Sequence, residues 1–530
     1  MFSFDSHLKD KRSRFYIPVK RIVANNKVES CDLLIGNEEY QLFMHHIKQT
    51  VKFPPASSVV LDFGAAFHGG IRMNFPCQSA KIKVTFGESV SEAIGTPDQS
   101  HSCKSTILDL PCCGMTEYGN TVFRFVKIEN VTAETIECQN IIGVALERDI
   151  EVTGSFNSSD ERLNKIWQTA VRTVHLCMQD YIYDGSKRDR IVWMGDMHPE
   201  IKGILAAFSD TSIIRDSLEF LIRHTPFHKP MNNIYSYSCW FIISVWEYFM
   251  ASNDFDFLAK NSEYIVEVMK MFSAFVDENG RECIPPRRFL DWPNNDNENA
   301  KHAGLQALLY WMMIDGTKIL NTLEKDSTFA VNCADKLKKY VPSPCGRKAP
   351  AALLTLTKLG DFRNVLENEP FRDVSTFYGY YMLLAKDTIP ALQLIRKYWG
   401  AMLDFGATSF WEDFDLNWIT NASPIDSLPQ KDKKDLHADF GNYCYKGLRH
   451  SLSHGWSCGP APFLSERVLG VKFLSPGGSK ITVKPDLGDL EYVEGTYPTP
   501  HGTVKISADK SGKLSIEAPT AVEIIDWKNK

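Results

Sequence analysis

Residues 158–177 read SSDERLNKIWQTAVRTVHLC, and this stretch decides the fold class. Apolar side chains recur at positions 163, 166, 167, 170, 174 and 177, which is the spacing of one buried helix face. Ser158 and Glu161 have the S-x-x-E form of a capping box, which predicts where the helix begins. Comparable patterns continue to residue 469. They predict a central block of about eleven helices.

Strand-like patterns flank the helical block on both sides. Before residue 152, short apolar runs alternate with polar residues, as in VFRFVKI at 122–128, and alternation returns after Lys480. We therefore expect a multidomain protein with an (α/α)6 barrel flanked by β-sandwich, jelly-roll-like domains. The predicted domains are residues 1–152, 153–472 and 473–530. Closure of the helices into a ring is a fold-level expectation, because the number of helices does not show it.

Composition restricts the class of partner. The 530 residues include 59 basic and 65 acidic side chains, a net charge of −6, which argues against a nucleic-acid or anionic-membrane partner. Apolar residues are 44% and charged residues 23%, as in an ordinary globular protein. Aromatic residues reach 12%, which suits either sugar stacking or a well-packed helical core.

Several common site types are missing from the sequence. There is no phosphate-binding loop, no dinucleotide fingerprint, no G-x-S-x-G elbow, no H-E-x-x-H and no CxxC. No cofactor or metal is therefore predicted. The first residues lack the apolar core of an export signal, no run is long enough to span a membrane, and the 13 cysteines are scattered. These features predict a cytoplasmic protein with reduced thiols.

The densest group of acids in a loop lies at residues 183–200. Asp184, Asp189 and Asp196 stand among basic side chains that include Arg188, with Trp193 in the same loop. Carboxylates, guanidinium groups and an indole can hold a polyhydroxylated ring by charge-assisted hydrogen bonds and stacking. The alternative is a solvated loop of salt bridges. Pro199 is predicted to lie in the first turn of the next helix.

Three further segments combine an acid or a histidine with tryptophan. Glu412 stands between Trp411 and Phe414, and desolvation there would raise the pKa of a carboxyl group. Each segment also has a structural explanation in core packing or a surface acid. Taken together, loops of one composition at one side of a helical ring would converge on a central pit. The other two pairs are Asp291 with Trp292 and His454 with Trp456.

These segments resemble the motifs of the α-L-rhamnosidases of glycoside hydrolase family 78. The family motif D-x-P-x-R-[ED]-x-x-x-W-x-G-D is similar to DGSKRDRIVWMGD at 184–196, and G-A-T-T-x-W-E is similar to GATSFWE at 406–412. Its G-D-W and S-L-x-H elements resemble LDW at 290–292 and SLSH at 451–454. The resemblance spans residues 150–530 and implies an inverting glycosidase with an (α/α)6 barrel and β-sandwich domains.

The resemblance also implies roles for individual residues. Asp189 matches the general acid and Glu412 the general base, which in inverting enzymes lie roughly 6.5–9.5 Å apart to admit a water molecule. Asp184 and Asp196 match carboxylates that bind sugar hydroxyls, and Trp193 matches an aromatic wall. The remaining candidate substrate-binding residues are Arg188, Asp291, Trp292, Trp411, His454 and Trp456.

Two departures from the family pattern leave alternatives open. The acid is Asp189 where the family usually has Glu, and Ser186 replaces the Pro of the motif, so Glu200 is an alternative acid. The predicted function is release of terminal α-L-rhamnose from oligosaccharides or glycosides. The alternatives are a carbohydrate-binding or degenerate paralogue, or a six-hairpin glycosidase for another sugar. A homodimer is compatible with the sequence, and the oligomeric state and a structural Ca²⁺ ion stay open.

Overall fold

The structure, a computed structural model, describes residues 9–42, 49–76, 79–96, 104–112 and 114–525. The first eight residues, on which the export argument partly depends, lie outside these ranges. Within them, no helix combines the length and the apolar composition needed to cross a membrane. The described chain is a multidomain combination of sheets and helices, as the sequence predicts.

The N-terminal region is built mainly of antiparallel strands. Seven of the described strands form one sheet in the order β1-β9-β4-β7-β5-β6, with β2 paired to β4. Strands β3 and β8 form a separate pair, and apolar side chains of both sheets share one core. The elements are β1 (Arg12–Ile17), β2 (Arg21–Asn26), β3 (Val51–Phe53), β4 (Ser58–Phe75), β5 (Ala80–Gly87), α1 (Val90–Ile94), β6 (Lys104–Leu110), β7 (Gly114–Asn130), β8 (Ile136–Cys138) and β9 (Asn140–Arg148).

The helical region begins after a single short strand. Its two longest inner helices, α5 and α8, bury residues around much of their circumference, whereas α2 and α4 bury one face. The elements are β10 (Ser155–Ser158), α2 (Glu161–Cys177), α3 (Met194–Ala207), α4 (Ser212–His224), α5 (Tyr235–Ser252), α6 (Phe255–Lys260), α7 (Ser262–Ser273), α8 (Glu298–Thr322), α9 (Thr328–Leu337), α10 (Lys348–Leu356), α11 (Arg363–Glu367), α12 (Gly379–Ala385), α13 (Thr388–Leu394), α14 (Gly400–Asp404) and α15 (Pro460–Phe463). The π-turns Ile395–Trp399 and Leu464–Val468 follow α13 and α15.

Six of the described helices contact one another in a cycle. Helix α3 contacts α5, and the series continues through α8, α10, α12 and α15 back to α3. Other helices pack against this cycle, among them α2 on α3 and α15, α4 on α5, α9 on α8 and α13 on α12. N-terminal ends of neighbouring helices meet in this cycle: Tyr237 in the first turn of α5 bonds Asp196 in the first turn of α3, and Ser375 before α12 bonds Asp291 before α8.

The remaining strands follow the helices. The elements are β11 (Ala422–Ser423), β12 (Lys434–Asp435), β13 (Val471–Phe473), β14 (Lys480–Val483), β15 (Tyr492–Thr499), β16 (Gly502–Asp509), β17 (Leu514–Glu517) and β18 (Glu523–Ile524). Strand β10 pairs with β15 in a sheet of order β10-β15-β16-β17, although the helical block separates them. The chain segments that enter and leave the helical block are therefore hydrogen-bonded together. The domain boundaries themselves stay a prediction.

Two sequence-based predictions of helix ends are wrong. Asp160, not Ser158, caps α2, because its carboxylate accepts hydrogen bonds from the amides of Arg162 and Leu163. Helix α3 begins at Met194, so Pro199 lies inside the helix and not in its first turn. The earlier start places Asp196 in the first turn, where the helix dipole favours a carboxylate.

Candidate active site

The four predicted segments come together at the N-terminal ends of the helical cycle. Gly185 pairs with His454 through a β-bridge, which joins the loop before α3 to the loop before α15. The amide of Gly455 donates to the carbonyl of Asp184 at 2.8 Å, and the amide of His454 donates to the carbonyl of Phe410 at 3.0 Å. The segment before α8 is connected through Trp292, whose ring packs edge-on against Tyr445, and the Arg188 guanidinium lies over the same Tyr445 ring. Every predicted site residue therefore belongs to one connected cluster.

Asp196 lies at the floor of this cluster. It accepts a hydrogen bond from the Tyr237 hydroxyl at 3.1 Å, and its other oxygen lies 3.2 Å from His454 Nε2. Gly195 makes the first contact possible, because a Cβ atom there would lie 2.2 Å from the Tyr237 ring. Burial raises the pKa of Asp196 to about 7, and the Tyr237 hydrogen bond opposes this rise.

Glu412 is held from several directions. Its Oε2 accepts hydrogen bonds from Arg188 and from the Ser451 amide, the latter at 3.1 Å. Its Oε1 lies 3.6 Å from His454 Nδ1. Burial lowers the pKa of His454 to about 4, so this imidazole is neutral and carries one N–H between two carboxyl groups. The carboxylate of Glu412 is thus fixed in position by charge and by hydrogen bonds.

Arg188 connects the two predicted catalytic carboxylates. One terminal nitrogen donates to Glu412 and the other donates to Asp189 at 3.1 Å. Its Nε donates to the carbonyl of Arg449 at 2.9 Å, and the guanidinium lies over the Tyr445 ring. These carboxylates raise the pKa of Arg188, although burial opposes this. The arginine stays charged between them.

Asp189 differs from Glu412 in exposure. Its side chain is 37% exposed, whereas that of Glu412 is 2% exposed. Asp189 and Arg190 both have positive φ angles, 56° and 55°, a backbone region in which Asp is enriched among non-glycine residues. The site therefore has one carboxylate at its mouth and another at depth.

Asp184 and Ser186 shape the loop itself. The carboxylate of Asp184 accepts a hydrogen bond from the Ile191 amide at 3.0 Å, which closes the loop. Burial, together with Asp196 nearby, raises the pKa of Asp184 well above its usual value. The hydroxyl of Ser186 donates to the carbonyl of Leu176, near the C-terminus of α2, where carbonyl groups need partners outside the helix. This contact accounts for a serine where the family motif has proline.

Glu200 packs against Gly455 beside the cluster and is 1% exposed. Burial and the nearby Asp196 raise its pKa well above the usual value, and its Oε1 has no hydrogen-bond partner within the described chain. A Cβ atom on Gly455 would lie 1.5 Å from that oxygen, so only glycine fits here. The alternative acid is thus a buried carboxyl group packed under the loop of His454.

The aromatic residues form two sides of the cluster. Trp193 is half-buried and lies edge-on to Tyr237, with ring centroids 5.9 Å apart. Trp292 is also half-buried and stacks on Tyr443. Trp456 donates from Nε1 to the carbonyl of Glu412 at 2.9 Å. These contacts fix the three indoles beside the carboxylates.

Asp291 and Trp411 lie deeper. Asp291 accepts hydrogen bonds from the Trp292 amide at 2.8 Å and the Ser375 hydroxyl at 2.7 Å. Burial raises the pKa of Asp291 to about 7. Trp411 is 1% exposed and packs edge-to-face on Phe414, so it supports Glu412 from the core.

Sequence reasoning missed several residues of the cluster. Tyr237 and Ser375 bond to predicted carboxylates, and Thr376 donates to the carbonyl of Glu412 at 2.6 Å. The only sequence signal was the polar residues Ser375 and Thr376 ahead of an apolar helix. No group of three or more His, Cys, Asp or Glu side chains in the described ranges is arranged to hold a metal ion.

Carboxyl groups that can hydrogen-bond hydroxyl groups and indoles that can stack on an apolar ring face suit the binding of a sugar ring. Residues 151–322 match the family model of the bacterial alpha-L-rhamnosidase 6 hairpin glycosidase domain. This match, which covers about a third of the chain, agrees with the resemblance to the glycoside hydrolase family 78 alpha-L-rhamnosidases found in the motifs. Among curated proteins, none matches at a significant level.

Solved structures share the fold over most of the chain. A GH78 family rhamnosidase of Bacillus sp. GL1 superposes with a TM-score of 0.72 at 19% identity, over 93% of this chain and 55% of its own. A rhamnosidase from Klebsiella oxytoca with rhamnose bound has a TM-score of 0.68 at 20% identity, over 86% of this chain and 96% of its own. The Streptomyces avermitilis alpha-L-rhamnosidase complexed with L-rhamnose has a TM-score of 0.70 at 14% identity, over 88% of this chain and 48% of its own. The chain thus spans about half the length of the Bacillus protein.

Proposed function

We propose that this chain is an inverting glycoside hydrolase that releases terminal α-L-rhamnose from oligosaccharides or glycosides. The observation that carries the proposal is the bridge from the Arg188 guanidinium to Asp189 at the mouth and Glu412 at depth. Two carboxylates of unequal exposure on one rigid support suit acid and base catalysis. We also infer that the cycle of six helices is the inner layer of an (α/α)6 barrel and that the flanking sheets are sandwich domains.

In this proposal Glu412 is the general base. Its contacts with Arg188, the Ser451 amide and His454 hold it in one orientation, so that it can remove a proton from the attacking water. Asp189 is the general acid. Its side chain is 37% exposed, so a leaving group can approach it, and its contact with Arg188 holds it beside the base.

Sugar binding is assigned to the buried carboxyl groups and the half-buried indoles. A carboxyl group whose pKa is near or above 7 exchanges between donor and acceptor, so Asp196 and Asp291 can bond hydroxyl groups in either sense. Trp193 offers a ring face for the apolar side of the sugar. The bound rhamnose in two structural neighbours supports a carbohydrate as the partner.

The catalytic pair is tested with two rhamnosides that differ in leaving group, an activated aryl α-L-rhamnoside and a rhamnose-containing disaccharide. We expect Glu412→Gln to lower kcat on both by about 10²–10⁴-fold, because the water always needs a base. Asp189→Asn should impair only the disaccharide, whose leaving oxygen needs a proton. Proton NMR of the wild-type reaction should show β-L-rhamnose as the first product.

Other outcomes would change the assignment. Glu200→Gln serves as the matched control and should keep activity on both substrates, because Glu200 is packed behind Gly455. Selective loss on the disaccharide in Glu200→Gln would move the acid role to Glu200, and full activity in Glu412→Gln would refute the mechanism. Wild-type protein that binds L-rhamnose without turnover would favour the carbohydrate-binding paralogue. Turnover of a different glycoside in a panel of aryl glycosides would change the sugar.

We also propose a reducing, cytoplasmic location. Cys177, Cys239 and Cys458 carry free thiols buried in the helical region, where burial raises the pKa of each thiol. Mass spectrometry of the native protein should find these thiols unpaired, and a disulfide at any of them would contradict the location.

A further inference from the structure

A short segment leaves the N-terminal sheet and enters the helical region. It comprises residues 88–92, between the end of β5 and the middle of α1. Ser89 Oγ lies 2.7 Å from His437 Nδ1, and the amide of Val90 donates to the carbonyl of Ile425 at 2.9 Å. Ser91 donates to the carboxylate of Asp435. The segment is thus anchored to the long loop that precedes His454.

Three buried charged groups meet at this junction. Lys187, from the loop before α3, places its Nζ 2.9 Å from Glu92 Oε1 and 3.5 Å from Glu88 Oε2. The three side chains are between 1% and 3% exposed. One ammonium group therefore faces two buried carboxyl groups, and burial raises the pKa of both. Removal of Lys187 would take away the positive charge that both carboxyl groups face.

The same lysine and its neighbour hold consecutive peptide groups of one segment. Lys187 Nζ donates to the carbonyls of Leu448 and His450, at 2.6 and 2.8 Å, and Arg188 Nε donates to the carbonyl between them, that of Arg449, at 2.9 Å. The amides of the next two residues donate to carboxylates on the other side of the segment. Ser451 donates to Glu412 at 3.1 Å, and Leu452 donates to Glu88 at 2.7 Å. Residues 448–452 are thus fixed residue by residue.

We propose that Glu88 and Lys187 are positioning residues that set the place of the catalytic base. The inference rests on the proposed function, because it takes Glu412 as that base. Glu88 fixes the Leu452 amide, Lys187 fixes the carbonyls of Leu448 and His450, and the Ser451 amide between these points orients Glu412. Neither side chain touches the site of bond cleavage. The N-terminal sheet region is therefore part of the catalytic apparatus and not only an attached domain.

The kinetic test uses Glu88→Gln, which keeps the size of the side chain and removes its charge. We expect kcat to fall about 10- to 100-fold, since small displacements of a catalytic group have effects of this size. The loss should be equal for the aryl rhamnoside and the disaccharide, because the base serves both. KM should change by less than about threefold, because Asp196 and Trp193 do not contact the displaced segment. Lys187→Met should cause a larger loss of the same pattern, and Lys187→Arg should restore part of it.

A matched control exists in a second ion pair between the same two regions. Glu147 of β9 binds Arg172 of α2 through two hydrogen bonds of 2.6 Å and is also buried, but it does not contact residues 448–452. Glu147→Gln should lower Tm and leave kcat unchanged. A fall in kcat of equal size in Glu147→Gln and Glu88→Gln would overturn the inference, because it would reduce Glu88 to a general structural role.

A measurement without substrate separates this inference from the proposed function. Hydrogen–deuterium exchange of peptides that cover residues 448–454 should become faster in Glu88→Gln and stay unchanged in Glu147→Gln. Faster exchange in Glu88→Gln, together with wild-type protein that lacks rhamnosidase activity, would refute the function and keep the contact. Unchanged exchange in Glu88→Gln, with active wild-type enzyme, would refute the positioning role and keep the function.

Discussion

Tyr237→Phe removes the hydroxyl group that donates a hydrogen bond to Asp196 and keeps the aromatic ring. In the native protein that hydroxyl donates to Asp196 Oδ2 at 3.1 Å, and the carboxyl keeps one other polar side-chain contact, His454 at 3.2 Å. Burial already raises the pKa of Asp196 to about 7 from 3.8, and Tyr237 opposes the rise. The variant therefore makes the ionised form of Asp196 more costly and leaves the protonated form nearly as it was.

The magnitude follows from the charge on the acceptor. A hydrogen bond to an ionised group contributes about 1.5–3 kcal/mol, which would raise the pKa of Asp196 to about 8 or 9. Between pH 3.8 and about 7, Asp196 is protonated in the folded protein but ionised in the unfolded chain. The free energy of unfolding therefore falls as the pH rises through this range. In Tyr237→Phe the free energy of unfolding keeps falling to a higher pH than in wild type. The destabilisation by the substitution should therefore be about 1.5 kcal/mol larger at pH 8.5 than at pH 5.5.

The assay is the difference in Tm between wild-type and variant protein at these two pH values. We expect the difference to grow by about 1–3 °C from pH 5.5 to pH 8.5. The pKa of Asp291 is also about 7, but its hydrogen-bond partners are Trp292 and Ser375 and not Tyr237. Its contribution to the pH dependence of Tm is therefore the same in both proteins and cancels in the difference between them. Tyr248→Phe, on the same helix, removes a similar bond to the partly exposed Asp254 and should show no such growth. A difference that is constant with pH would refute the reasoning.

Two further predictions concern Trp193 and Gly455, which lie in and beside the carboxylate cluster. Trp193→Ala should raise KM for an aryl α-L-rhamnoside by about two- to tenfold without changing helical circular dichroism, because the ring offers a stacking face. The control is Trp246→Ala, in the second half of α5. An equal rise in KM in this control would identify Trp193 as an ordinary packing residue. Gly455→Ala should lower stability by about 1–3 kcal/mol in thermal unfolding, since its Cβ atom would lie 1.5 Å from Glu200 Oε1. Glu200→Ala in the same chain should recover part of that loss, and simple additivity of the two changes would contradict the contact.

Periodicity predicted the helical block because most of its helices bury a face along a 3.6-residue repeat. It failed where tertiary contacts fix the backbone. The pattern at residues 374–384 predicts a helix, but α12 begins at Gly379, because Ser375 and Thr376 use their hydroxyl groups to bond Asp291 and the carbonyl of Glu412. A segment that serves the site is thus a loop despite its apolar pattern.

The candidate site could be predicted only where its residues lie in local motifs. Asp189, Asp196 and Glu412 stand in short segments whose composition is visible in the sequence. Glu88 gave no such signal, because its partner amide at Leu452 is 364 positions away. Tyr237 lies among other aromatic residues of α5, and nothing in its neighbours shows that Gly195 leaves room for it beside Asp196.

The pairing of β10 with β15 has a consequence for how the chain folds. Ser155 bonds to Thr496 across 341 positions of sequence, so this sheet forms only after the whole helical block has been synthesised. Contacts of such separation carry a large loop-closure entropy and slow the search for the native state. Until that pairing forms, strand β10 lacks its hydrogen-bonded partner, and its unpaired edge stays accessible to aggregation. Productive folding is therefore expected to depend on the synthesis of strand β15.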